Sequence, residues 1–292
     1  MNTSSKPKVK LVLASGGARG MAHIGVIERL EQEGFEIVEV VGCSMGAVVG
    51  GLYASGELKA YKDWLLTLKR ADIFKLMDFT LAKHGFVKGE KVFSTILQMI
   101  GPRKIEDLPI NFTAVATDMH TGKEIVFKEG DLFQALRASI SIPGIFTPVK
   151  YAQTHLIDGG VINPLPLNLV KPEGDEIVVA VDINAPNPVE AIQETPAEET
   201  TKDRKNWLSL NWPFLHKDEK AGPIDPNLVD VLQTSYDHMQ NRLIQLMVKA
   251  YPPNVLVKIP RNTCGMFDFH KAREVIELGA REYDRAVEKS VV

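Results

Sequence analysis

Cysteine is scarce in this chain, with only Cys43 and Cys264 among 292 residues. That excludes a disulfide framework and a thiolate zinc cluster. Long apolar runs are missing too, and none approaches the ~20 residues needed to span a bilayer. The polar segment from Met1 to Lys10 lacks the apolar stretch of a signal peptide. Neither charge sign is in excess, since 34 basic residues face 37 acidic ones for a net charge of −3. A nucleic-acid binder would be strongly basic, so no nucleic-acid partner is expected. Apolar residues make up 45%, too many for a disordered chain. The seven histidines show no metal-ligand spacing, so neither a metal nor another cofactor is expected. These absences describe a globular, cytoplasmic protein able to bury a large core without cross-links.

What the sequence does contain is an alternation of short β-rich runs and longer helical stretches. The pattern predicts an α/β fold of three layers, α/β/α, with a mainly parallel central sheet in one domain over 9–289. Strands are expected at 9–14, 37–41, 112–117, 124–127, 147–151, 155–157, 176–182 and 254–259. Helices are expected at 21–33, 47–54, 132–139, 227–250 and 270–289, with residues 57–100 helical between short breaks. In the first helix Ile24, Ile27 and Leu30 share one face. Residues 184–226 break the rhythm with Pro and Gly turn signals and four Glu between Glu190 and Glu199, and predict a mobile surface excursion.

Three small motifs fall between these elements. Gly42-Cys43-Ser44-Met45-Gly46 fits G-x-S-x-G between a strand and a helix. A serine hydroxyl is a poor nucleophile until it is raised on a sharp turn and given a base, and flanking glycines make that turn possible. The ordinary alternative is a helix-capping serine in a glycine-lined turn. Gly16-Gly17-Ala18-Arg19-Gly20 also joins a strand to a helix, where free N–H groups can stabilise an oxyanion. Its rival reading is a dinucleotide loop, but Ser15 stands at the first glycine position and no acid closes the second strand. Arg19 in that loop suits either a phosphate head group or a bracing role. Asp158-Gly159-Gly160 ends a strand and offers a carboxylate, although Asp in such a turn is commonly structural. Cys43, beside the serine, is assigned to packing.

Two bases are open to Ser44. His270 would complete a Ser-His-Asp triad, since His216 lies in the excursion and His238 in mid-helix. Only two strands precede Ser44, however, fewer than an α/β-hydrolase places before its nucleophile. A two-residue machine of Ser44 and Asp158 fits better. Its carboxylate, with an ordinary pKa near ~3.9, must then be made more basic by its surroundings.

In this order and context the three motifs resemble the signature of the patatin-like phospholipases. Ala138-Ser139-Ile140-Ser141-Ile142-Pro143-Gly144-Ile145-Phe146-Thr147-Pro148-Val149 is similar to that family's block before the aspartate. The resemblance covers about 9–171 and continues weakly into 176–182. It implies a Ser44–Asp158 dyad, an oxyanion loop at Gly16 to Gly20, structural glycines at Gly42, Gly46, Gly159 and Gly160, and metal-free hydrolysis of lipid acyl esters of phospholipase A or lysophospholipase type. The alternative of another class is a non-catalytic nucleotide- or lipid-binding regulator. Trp207, Leu208, Leu210, Trp212, Phe214 and Leu215, flanked by lysines and Arg204, offer a peripheral contact at the inner membrane face. The rival reading is a satellite core or a dimer contact. The sequence does not speak to oligomeric state.

Overall fold

A computed structural model describes residues 6–76, 89–186 and 228–290. Among them one sheet has strand order β5-β6-β3-β2-β1-β7-β8, with β4 paired to β3. The strands are β1 (Lys8–Leu13), β2 (Glu36–Cys43), β3 (Asn111–Asp118), β4 (Glu124–Phe127), β5 (Val149–Tyr151), β6 (Thr154–Asp158), β7 (Ile177–Ala185) and β8 (Val255–Pro260). The helices are α1 (Ala22–Gln32), α2 (Met45–Ala54), α3 (Leu58–Thr67), α4 (Arg70–Leu76), α5 (Glu90–Ile100), α6 (Leu132–Ser139), α7 (Leu228–Ala250) and α8 (Ala272–Ser290).

The five strands β3, β2, β1, β7 and β8 are parallel, while β4 and β6 pair antiparallel with β3, and β5 pairs antiparallel with β6. From β1 through β2 to β3 the chain steps one way across the sheet, and from β7 to β8 it steps the other way. Right-handed crossovers therefore put α1 and α2 on one face and α7 on the opposite face, which gives the three layers. The reversal between β1 and β7 leaves a crevice at their C-terminal ends, where open α/β sheets place ligands.

Burial follows position in the sheet. In central β7 every residue after Ile177 is buried, as a strand covered on both faces requires. Ile24, Ile27 and Leu30 of α1 are fully buried, and α8 packs along α1. Expected and observed elements differ mainly at their ends. β7 continues to Ala185 because a register shift carries its pairing with β8 on to Pro260. The last helix begins at Ala272, and His270 sits in the single turn Phe269–Lys271 before it. The 57–100 stretch contains three helices, with 77–88 outside the described residues. Nearly all of the 184–226 excursion, including the Trp207–Leu215 cluster, also lies outside them.

Candidate active site

β2 ends at Cys43 and α2 begins at Met45, so Ser44 alone makes the turn. Its backbone is left-handed, with φ 54° and ψ −120°, a conformation that costs a non-glycine residue about 1–3 kcal/mol. The turn is tight enough that a Cβ on Gly42 would strike the Gly46 carbonyl, and one on Gly46 would strike the Leu13 carbonyl. These contacts explain both glycines of G-x-S-x-G. The Ser44 N–H donates to Ser139 Oγ at 2.9 Å, so it is already occupied.

Register brings Asp158 level with this turn. Cys43 pairs with Val115 on β3, and the next β3 residue, Ala116, pairs with Asp158 on β6. β6 is antiparallel, so the rule that chemistry gathers at parallel strand ends does not account for the aspartate; register across β3 does. The carboxylate is buried, and Oδ1 accepts the Gly160 N–H at 2.7 Å. The Cys43 thiol lies 3.9 Å from the same oxygen. Oδ2 is buried without a hydrogen-bond partner among the described residues. Burial pushes the Asp158 carboxyl up to about 7, although the Ser44 hydroxyl, the Gly160 N–H and the Cys43 thiol beside it all favour the charged form. Its own backbone is fixed as well, since the Asp158 N–H donates to the Ser141 carbonyl at 2.9 Å.

One short segment thus holds both residues, because α6 and the turn after it supply Ser139 to Ser44 and Ser141 to Asp158. Arg137 anchors that segment. Its guanidinium donates to Ser141 Oγ at 2.7 Å and to the Thr147 carbonyl at 3.1 Å, and it stacks 4.3 Å from the centre of the Phe93 ring. The sequence block around Ser139 was legible as a motif, but not the role of its serines.

The glycine loop occupies the crevice at the end of β1. Gly16 and Gly17 have φ of 156° and 58°. The Ala18 N–H donates to the Met266 carbonyl at 2.9 Å and Gly17–Met21 form one 3-10 turn, while the Gly16 and Gly17 N–H groups at its start have no backbone acceptor outside the turn among the described residues. Arg19 is buried and braces the loop, donating to Asn184 Oδ1 at 2.7 Å and to the Arg261 carbonyl at 3.3 Å. Asn184, at the end of β7, also donates to the Ser15 carbonyl at 2.6 Å. Of the two sequence readings for Arg19, these bonds describe bracing.

The loop residues Gly16 and Gly17, with Ser44, Asp158 and Tyr236, line one small pocket. A larger apolar pocket shares Gly17, Ile142 and Met266 with it and is walled by Met45, Tyr61, Trp64, Phe93, Phe146 and Phe267. His270 lines neither pocket, and no group of three metal-ligating side chains occurs among the described residues. Tyr236 and Gln240 of α7 were not foreseen from sequence; Gln240 Nε2 donates to Ser15 Oγ at 2.8 Å and to the Gly160 carbonyl at 3.1 Å. No helix among the described residues is long and apolar enough to cross a membrane.

Comparison with known proteins finds several similarities. The sequence model of the patatin-like phospholipases matches residues 11–171. An uncharacterized NTE family protein of Mycobacterium tuberculosis is 34% identical over 333 aligned positions, covering 98% of this chain and 92% of that protein. Lysophospholipase NTE1 of Debaryomyces hansenii is 28% identical, with the match covering 94% of this chain but 18% of the yeast protein. Among solved structures, VipD from Legionella pneumophila aligns with a TM-score of 0.39 at 12% identity, over 85% of this chain and 67% of VipD.

Proposed function

The chain belongs to the patatin-like phospholipase family, and from that premise we propose that it is a serine hydrolase of lipid acyl esters, of phospholipase A or lysophospholipase type, working through Ser44 and Asp158. The observation that carries the reading is the pairing of a left-handed Ser44 with a buried Asp158 whose carboxyl is pushed up to about 7. A base is most effective when its pKa lies near the working pH, because it is then both available and strong enough to take the proton.

The reaction runs in two halves. Ser44 Oγ attacks the ester carbonyl while its proton passes to Asp158, forming a tetrahedral oxyanion. The Gly16 and Gly17 N–H groups stabilise that oxyanion at the mouth of the crevice. Collapse breaks the acyl–oxygen bond, and the leaving alcohol takes the proton back from Asp158. Water then gives its proton to Asp158, attacks the acyl-serine and releases the fatty acid, returning the proton to Ser44. The apolar pocket beside Gly17 supports an acyl chain as the group held there, and Met45, next to the nucleophile, lines it. No step calls for a cation. The name of the yeast relative favours lysophospholipids among the candidate substrates.

The test combines a fluorophosphonate probe with esters of increasing chain length, then lysophospholipid. The expected result is a covalent label on Ser44, loss of labelling in Ser44→Ala, and hydrolysis that rises with acyl length. A protein that binds lipid but neither labels nor turns over would be the non-catalytic regulator instead. Crippling by His270→Ala alongside a mild Asp158→Asn would move the base to His270.

A further inference from the structure

Tyr236 belongs to no motif, yet it ends in the same pocket as Ser44. It stands on α7, and Gln240 one turn further on fixes that helix against the site by its bonds to Ser15 and Gly160. The phenolic oxygen is buried and has no hydrogen-bond partner among the described residues. Both hydrogens of the nearby Gln240 amide are already given to Ser15 Oγ and the Gly160 carbonyl, and the phenolic proton has no acceptor among the described residues. A buried tyrosine hydroxyl normally finds one, and leaving it unpaired costs stability. Asp158, whose Oδ2 also has no hydrogen-bond partner among the described residues, lines the same pocket. Two unsatisfied polar groups facing one small space point to a ligand atom between them.

The directions of the pocket identify that atom. The acyl side is the apolar cavity, which Tyr236 does not line. In the reaction proposed above, the carbonyl oxygen would face Gly16 and Gly17, which line the pocket. The remaining polar wall comprises Ser15 and Arg19, whose side chains are tied to Gln240 and Asn184, and Tyr236, Asp237 and Gln240 of α7. Resting on the hydrolase reading above, we infer that Tyr236 is a further catalytic residue whose hydroxyl donates a hydrogen bond to the alcohol oxygen of the scissile ester. As the acyl–oxygen bond breaks, its electron pair moves onto that oxygen. Asp158 returns the proton it took from Ser44, and Tyr236 keeps its own. Burial and the nearby Asp158 carboxylate push the phenol well above its ordinary range, so it remains a neutral donor throughout.

The experiment compares Tyr236→Phe with wild type on two esters of one short fatty acid, p-nitrophenyl and ethyl. Nitrophenolate departs with little help, whereas ethoxide depends on donors around it. The kcat/KM ratio of ethyl to p-nitrophenyl ester is expected to fall about ten- to a hundredfold in the variant. Because both rates come from one sample, the ratio is independent of the folded fraction. The melting temperature should hold or rise, since the removed hydroxyl has no protein partner. Two results would overturn the role: both esters losing activity in parallel, or a lowered melting temperature with the ratio unchanged. Wild-type protein that cleaves neither ester and leaves the fluorophosphonate unreacted would instead sink the hydrolase reading itself.

Discussion

Replacing Asp158 by Asn should make the protein more stable while removing its activity. An Asp carboxyl shifted from 3.8 to about 7 means that the folded state disfavours its charged form. A shift of that size corresponds to about 4 kcal/mol when integrated over pH. Below about pH 4 the group is neutral in both folded and unfolded chains, and it contributes no pH dependence. Between pH 4 and 7 the folded protein holds a proton that the unfolded chain has lost, so wild-type stability falls as pH rises. Above about pH 7 the whole penalty is present. Asn is neutral throughout, and its carbonyl can still accept the Gly160 N–H, although its amide also needs a partner. The expected gain is therefore about 2–4 kcal/mol at pH 8, shrinking towards zero near pH 4. Asp182, also raised by burial, is common to both proteins and cancels. Urea titrations across this range measure the difference directly. In parallel, wild-type kcat/KM should rise with pH through an apparent value near 7, as Asp158 ionises. A variant equally stable at both ends of the range, or less stable at pH 8, would show that the buried carboxylate is not under this penalty.

Two further outcomes follow from the site. Ser139→Ala leaves the Ser44 N–H buried and unpaired, which should cost about 1–3 kcal/mol and lower kcat more than it raises KM; unchanged melting and turnover would show that the elbow does not lean on Ser139. Saturating chelator should leave ester hydrolysis unaffected, and a loss restored specifically by calcium would contradict the cation-free mechanism.

The legible parts of this molecule were those fixed by neighbours in sequence. The apolar run at 176–182 announced a central strand, and G-x-S-x-G between strand and helix announced the Ser44 turn. Asp158 could be nominated from its Asp-Gly-Gly turn, but its alignment with Ser44 depends on antiparallel pairing through β3, which no local pattern encodes. The division of labour in the glycine loop was hidden for the same reason. Ala18 looked like its neighbours until Met266, far along the chain, claimed its N–H. Arg19 became a brace only through Asn184 and Arg261. Tyr236 and Gln240 carry no motif, because their roles come from where α7 crosses the sheet.

The placement of β1 between β2 and β7 also bears on how the molecule is born. The nucleophile, the aspartate and the glycine loop are all translated before residue 177, but three of their fastenings are not. Asn184 secures Ser15 and Arg19, Gln240 secures Ser15 and Gly160, and Met266 takes the Ala18 N–H. On the ribosome, a nascent chain that has emerged only through the aspartate motif exposes the unpaired edge of β1 and an unfastened loop. The loop is therefore fastened only once residues 184–266 are in place, and a product terminated before them is an aggregation risk.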